Sequence, residues 1–240
     1  MSTKTIKENK KIVLATESEF APFEFKSLVN GKDTLVGADI ELAKAIGKKL
    51  GVKVEFSVMS FDNVLASVQS GKADIAIAGI SVTDERKKVY DFSDSYYTSE
   101  NVVIVKKDKV NDFTSADSLA KQTVGTQKGS VQETVAKKQF SKASVVSLAS
   151  NGEMINELKS GQIQAVVLEK AIAEGYIAQN DALTLASFNL KSDGSDAYAV
   201  AIRKGSDDLL KEINAVIKET KESGKFDQWL KEASSYKQSK

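Results

Sequence analysis

Twice in this chain an amphipathic helical run stops at Ser-Gly and turns at once into an apolar strand. Val64–Ile77 reads VLASVQSGKADIAI, and Met154–Val167 reads MINELKSGQIQAVV. Glycine takes the left-handed conformation that ends a helix, and a strand made almost wholly of Ala, Ile and Val must be covered on both faces. A single αβ connection of this kind is ordinary loop geometry. Two of them fit two similar α/β lobes.

The rest of the chain alternates in the same way. Ile12–Ala15 is a short β run. Asp39–Leu50 places Ile40, Ala43, Ile46 and Leu50 on one helical face before Gly51, Val52–Val58 alternates as a strand, and Asp62–Ser70 is again helical. This is the pattern of an α/β architecture with parallel strands. Ser130–Glu133 and Ser150–Glu153 read as capping boxes. Ser206 with Asp207 and Asp208 reads as the cap of a long helix to Glu222, stopped near Gly224, and Trp229 and Leu230 read as the apolar anchors of a last helix from Phe226 to about Ser234. At 240 residues the chain exceeds one ordinary α/β unit, so two domains are expected. With one Pro and no Pro-, Gly- or Ser-rich linker, ordered segments must join them.

Composition removes several classes of function. The 34 basic and 33 acidic side chains nearly cancel, leaving no basic face for nucleic acid and no polybasic membrane patch. Lys137-Lys138 reads as a solvated helix face. No stretch approaches the ~18 consecutive apolar residues of a membrane span. Met1–Lys11 is polar and lacks the apolar centre of a signal peptide, which fits either a cytoplasmic chain or one whose export segment has been removed. There is no His and no Cys. That excludes His-assisted nucleophiles, thiol chemistry and the usual zinc sets. No metal or cofactor is expected.

Three stretches carry recognition chemistry. Gly79–Arg86 (GISVTDER) follows a buried strand and opens a short helix, with Thr83 as its cap. Arg86 then emerges near the carboxyl edge of the sheet, where open α/β sheets bind ligands. Its guanidinium offers a planar fork to a carboxylate; the alternative is an exposed Arg paired with Glu85 or Asp91. Val124–Ser130 (VGTQKGS) runs from a strand into a capped helix, a place where free N–H groups attract anions, although its Lys precedes the last Gly and so does not make a phosphate loop. Phe20, Phe23, Phe25 and Phe61 form an aromatic group that is either core or a wall. Phe20 sits in the loop-like Glu17–Phe23, and rings beside Glu17 would suit a cationic side chain.

Taken in order, Ala15–Phe25, Val36–Ile40, Ala73–Lys87, Tyr90–Tyr97, Val124–Ser130 and Gln164–Glu169 resemble the amino-acid-binding proteins of ABC importers, the bacterial extracellular solute-binding proteins of family 3 with the type II periplasmic-binding-protein fold. The similarity runs over nearly the whole chain. It implies two Rossmann-like α/β lobes joined by two hinge crossings, with a ligand cleft between them. The larger lobe would hold residues 1–106 and 197–240 and the smaller one 107–196, with crossings near Val102–Lys106 and Asp193–Tyr198. The ligand's α-carboxylate would meet Arg86 and the amides of Ser81 and Ser130. Its α-ammonium would meet the Gly79 carbonyl, the Ser81 hydroxyl and Glu169. Phe20 and Phe61 would sandwich its side chain, with Glu17, Gln127 and Gln132 near the tip. The family carries Asp where this chain has Glu17 and Glu169, which lengthens both contacts by one methylene.

The resemblance further implies a monomeric partner of a membrane permease, extracytoplasmic and either periplasmic or lipid-anchored, that binds a free L-amino acid by domain closure and catalyses nothing. Arginine or lysine is favoured from Glu17 beside the rings, and glutamine or asparagine is the rival from Gln127 and Gln132. The same fold also carries dehydratases of prephenate-like substrates, for which Glu17, Glu169 or Lys128 would have to serve as the acid, and sensor modules of membrane receptors.

Overall fold

The computed structural model describes residues 3–98, 100–191, 197–237 and 239. They divide into two compact units, Met1–Thr98 with Ala197–Lys240, and Ser99–Asp196.

The first unit begins with helix α1 (Thr3–Asn9) and strand β1 (Lys11–Thr16). A small antiparallel sheet of β2 (Glu19–Phe20), β3 (Glu24–Val29) and β4 (Lys32–Val36) follows. Then come α2 (Ala38–Leu50), β5 (Lys53–Val58), α3 (Phe61–Gln69), β6 (Ile75–Ala76), the short α4 (Asp84–Lys87), β7 (Tyr90–Phe92) and β8 (Tyr97–Thr98). The second unit runs β9 (Asn101–Lys106), β10 (Thr123–Gln127), α5 (Val131–Gln139), β11 (Ser144–Leu148), α6 (Asn151–Ser160), β12 (Ala165–Glu169), α7 (Lys170–Gln179) and β13 (Leu183–Leu185). The chain returns to the first unit as β14 (Ala197–Tyr198), β15 (Ala201–Arg203), α8 (Asp207–Glu222) and α9 (Lys225–Ala233).

Each unit is built on a five-stranded sheet, in the orders β5-β1-β6-β15-β7 and β11-β10-β12-β9-β13. The two plans are the same. The strand that opens the parallel set, β1 or β10, takes a parallel partner on one side (β5, β11) and another on the other (β6, β12). The fourth place is taken by a strand antiparallel to its neighbours, β15 in the first unit and β9 in the second. The duplicated helix–glycine–strand pattern is α3–β6 and α6–β12, the step that crosses the opening strand to its far side. Gly71 (φ 84°) and Gly161 (φ 85°) make the two stops in the left-handed conformation.

Val102–Lys106, expected as a crossing, is an interior strand of the second sheet. Ile104 lies opposite Val166 on one side and Leu185 on the other. Val103, Ile104 and Val105 are buried. The neighbours satisfy its backbone on both edges, and helices α6 and α7 pack against the apolar run Val102–Val105. Of the other expected crossing, Asp193–Asp196 lie outside the described residues, while Ala197 and Tyr198 pair with Thr98 and Tyr97 as a short antiparallel ribbon of the first unit.

Two helix details differ from expectation. The Ser206 side chain makes no cap hydrogen bond, and its ψ of 53° is not the extended conformation a cap needs. Asp208 instead accepts from the Thr3 N–H at 2.9 Å and the Leu209 N–H at 2.9 Å, and the Thr3 bond leads in holding its carboxyl below the ordinary value. In α9 the buried anchors are Phe226 and Ala233. Trp229 and Leu230 are half-buried, because Phe226 turns towards the rings of Tyr96 and Tyr97, with centroids at 5.2 and 5.8 Å, and this sets the rotation of the helix.

Candidate functional site

In an open α/β sheet, ligands gather at the carboxyl ends of the strands where strand order reverses. In the first unit that place is between β1 and β6, since the chain steps from β1 to β5 on one side and back across to β6 on the other. Glu17 follows β1, Phe61 follows β5, and Gly79, Ser81 and Arg86 follow β6.

Arg86 is tied into this edge. Thr83 caps its helix, Oγ1 accepting from the Arg86 N–H at 3.1 Å. Nη1 of the guanidinium donates to the Ser81 carbonyl at 2.9 Å, and Cζ lies 5.9 Å from the centre of the Phe61 ring. The side chain therefore bends back over the aromatic. Of the two alternative partners, Asp91 accepts from the Gly205 N–H at 3.1 Å, while Glu85 acts on the guanidinium through its charge. Burial pulls the guanidinium pKa below its ordinary value, while Tyr90 and Glu85 oppose that shift. The Arg nonetheless stays charged.

The aromatic group divides. Phe23 and Phe25 are core, 0 % and 2 % exposed. Phe23 packs on Phe20, Tyr97, Tyr198 and Phe226. Phe20 lies against the backbone of Gly79, where an added Cβ would sit 2.5 Å from its Cε2. With φ at +59°, Gly79 brings ring and main chain into direct contact. Glu17 and Ser81 are buried here too, and Ser81 forms an isolated bridge with Tyr198.

Behind this edge lie two acids that were not foreseen as part of a site. Glu24 on β3 and Asp39 on α2 are both fully buried. Burial, then the charge and contact of Asp39, push the Glu24 carboxyl well above its ordinary value, with Glu17 adding to the effect. Burial also raises Asp39, offset by Glu24, the Tyr96 hydroxyl and the Gly79 N–H. Were both acids ionised, neither Glu24 oxygen nor Asp39 Oδ1 would have a hydrogen-bond partner. A proton on Glu24 turns the repulsion into a hydrogen bond. Sequence signals existed only faintly: Glu24 stands between two phenylalanines, and Asp39 opens the apolar face of α2.

The sign of the resulting pH dependence follows. Folded Glu24 keeps a proton that the unfolded chain releases in the ordinary carboxylate range, so stability is full at low pH and declines as pH rises towards the raised value. Asp39 shifts in the same direction. Urea midpoints of the wild type are expected to fall between about pH 5 and pH 8, and those of Glu24→Gln, which donates without titrating, to fall less. Parallel curves would show that Glu24 is not protonated in the fold.

The second unit has a corresponding edge at the ends of β10 and β12. Gln127 closes β10, and its Nε2 donates to the Ala149 carbonyl at 3.3 Å. The Ser130 hydroxyl donates to the Gln127 carbonyl at 2.6 Å and accepts from the Glu133 N–H at 3.2 Å, capping α5. The box is half made, because the Glu133 carboxylate accepts from the Ser147 hydroxyl. Glu169 closes β12, is 1 % exposed, and caps α7 by accepting from the Ile172 N–H at 3.3 Å. Gln132 donates from Nε2 to Asn101 Oδ1 at 2.8 Å, and strand register sets Asn101 directly opposite Glu169. Asn101 was not foreseen, since only the β9–β12 pairing brings it here. A hollow of about 370 Å³ in this unit, lined by Lys106, Phe113, Gln122 and Ile163 among others, lies at the amino ends of β10 and β12 and touches none of these residues.

Each unit thus gathers its expected residues at one sheet edge. The first presents a guanidinium, rings and the Glu17 carboxylate; the second presents the Glu169 carboxylate, two amides and the start of α5. Among the described residues no group of three metal-ligating side chains could hold a metal ion, and no helix is long and apolar enough to cross a membrane.

Comparison with known proteins gives a consistent set of relatives. Residues 12–233 match the family model of bacterial extracellular solute-binding proteins, family 3. An arginine-binding extracellular protein, ArtP of Bacillus subtilis strain 168, is 34% identical over 227 residues, covering 92% of this chain and 85% of that one. An amino acid ABC transporter substrate-binding protein of Streptococcus pneumoniae Canada MDR_19A, crystallised with L-arginine, superposes with a TM-score of 0.96 at 46% identity, over 99% of both chains. AbpA from the same organism, also with L-arginine, gives a TM-score of 0.93 at 50% identity, over 96% of this chain and 97% of that one.

Proposed function

The chain belongs to the bacterial extracellular solute-binding proteins of family 3, as an amino-acid-binding component of ABC transport, and from that premise we propose that its ligand is a basic amino acid, L-arginine ahead of L-lysine. The observation that carries this reading is the first-unit edge itself. Arg86 is drawn over Phe61 by the Ser81 carbonyl, and Glu17 is buried where the chain leaves β1, three residues before the buried Phe20. A guanidinium-bearing side chain can stack on such rings and fork to such a carboxylate. The arginine held by both pneumococcal relatives points the same way.

On this reading Arg86 and the amides of Ser81 and Ser130 take the α-carboxylate. The Gly79 carbonyl, the Ser81 hydroxyl and Glu169 take the α-ammonium. Phe20 and Phe61 flank the side chain, with Glu17, Gln127 and Gln132 towards its tip. Residues of both units then act on one zwitterion, and the state in which all of them engage gains free energy that the other states lack. The protein works as a monomer outside the cytoplasmic membrane and passes its ligand to a membrane permease, in keeping with the family's extracellular role.

A thermal-shift panel of the twenty amino acids tests this. A ligand at a hundred times its dissociation constant stabilises by about 2.7 kcal/mol, so arginine is expected to raise the midpoint most and lysine next. A response to glutamine alone would reject the basic ligand. Silence across the panel would reject amino-acid binding.

A further inference from the structure

Gly79 has no side chain to hold it, yet its carbonyl is the proposed ammonium acceptor. Two contacts fix this stretch of main chain. Asp39 Oδ2 accepts from the Gly79 N–H at 3.0 Å, and the Ala199 N–H donates to the Ile80 carbonyl at 3.0 Å. The second is an ordinary backbone pair. The first spends a fully buried carboxylate on one amide, and a bare buried acid is among the costliest ways to provide an acceptor.

Asp39 is in turn surrounded. Glu24 from β3 and the Tyr96 hydroxyl both approach it, and both stabilise its anionic form. The remaining ionisable groups around the pair are Glu17, which acts on Glu24, and Tyr198, which acts on Tyr96. The Gly79 N–H ties this carboxylate to the recognition edge, and its place in the first turn of α2, fully buried beside Glu24, restricts the orientations open to it.

We infer that Asp39 is a positioning residue for amino-acid recognition, fixing the Gly79 peptide through its N–H. This rests on the function proposed above. It adds that recognition of the ammonium depends on a pair of acids that do not touch the ligand. A carboxylate accepting from Gly79 sets the direction of the peptide, while the Phe20 ring against the Gly79 Cα closes the other side.

The test separates positioning from mere stability. Replacing both acids by apolar residues removes two desolvated carboxyl groups but leaves the Gly79 N–H without its acceptor, two effects of opposite sign on stability. Glu24→Leu/Asp39→Leu is therefore expected to stay folded with a midpoint within about 10 °C of the wild type, yet to bind arginine about tenfold to a hundredfold more weakly, the worth of one hydrogen bond to a charged acceptor. The Gly79 amide should exchange faster with solvent in the free protein. Glu24→Gln, which still donates to Asp39, should bind within about twofold of the wild type. If the double variant does not fold, Asp39→Asn replaces it: the same size but a neutral acceptor, expected to bind about fivefold more weakly with faster Gly79 exchange. Wild-type affinity and Gly79 protection in a folded double variant, or in Asp39→Asn, would overturn the positioning role alone. A wild type that binds no amino acid would instead refute the proposed function, and this inference with it.

Discussion

Arg86→Ala is expected to abolish measurable binding of arginine while leaving the first unit folded. The two halves of that expectation have separate physical grounds. Folding survives because α4 buries none of its residues and its cap runs through the Arg86 backbone N–H, which alanine retains. Binding does not survive, because the guanidinium is held in a partly desolvated place where only an opposite charge repays its cost. Burial already draws its pKa below the ordinary value. Removing one partner of a desolvated charge pair typically costs about 2–5 kcal/mol, roughly thirtyfold to several thousandfold in affinity. Arg86→Lys should fall between the two, since an ammonium keeps the charge but loses the planar fork and the stacking on Phe61. Titration calorimetry with arginine, beside a thermal melt of each variant, decides the matter; unchanged affinity in a folded alanine variant would remove Arg86 from the site.

Much of the architecture was legible, and particular residues show why. Val64–Ile77 and Met154–Val167 look alike because α3–β6 and α6–β12 make the same topological step, and each step imposes the same local demands of apolar face, glycine stop and doubly covered strand. The place of the fourth strand in each sheet was not legible, although Val102–Lys106 reads as β-like. β15 and β9 both pair antiparallel with partners remote in sequence, and neither carries a local mark of where it docks; β15 is in addition only three residues long. The rotation of α9 was misjudged for a similar reason. Phe226, Trp229 and Leu230 are all apolar, and only the rings of Tyr96 and Tyr97 select Phe226.

At the sheet edges the residues recognised in the sequence were those that end strands or cap helices, such as Gly79, Arg86, Ser130 and Glu169. Their neighbours Asn101, Glu24 and Asp39 were missed. An acid or amide buried by tertiary packing carries the same letter as one in water, and register alone decides which it is.

Gly37→Ala is expected to destabilise the first unit more than any conservative change at its surface. Gly37 has φ 131° and ψ 169°, a region that glycine alone occupies without strain. A Cβ there would lie 2.1 Å from the Phe23 carbonyl oxygen and 2.9 Å from the Glu24 nitrogen, both main-chain atoms that cannot swing away. The close approach has a purpose in the fold. It lets the first turn of α2 give its amides to the preceding loop, the Ala38 N–H to the Pro22 carbonyl at 3.0 Å and the Asp39 N–H to the Phe23 carbonyl at 2.9 Å. Strain of about 1–3 kcal/mol, together with two buried hydrogen bonds worth about 1 kcal/mol each, gives a loss of roughly 3–5 kcal/mol. At about 2–4 °C per kcal/mol the melting midpoint should fall by about 6–20 °C. Gly79→Ala is also strained, at φ +59° and against the Phe20 ring, but it meets a side chain and not main-chain atoms, and should cost less. Because Asp39 lies two residues beyond Gly37, whatever Gly37→Ala protein still folds should also bind arginine less tightly, through displacement of the carboxylate that holds Gly79. Melting and calorimetry on the two glycine variants test both statements: a Gly37→Ala midpoint within about 2 °C of the wild type would mean that α2 is not docked on Phe23 as described, and would weaken the case for Asp39 along with it.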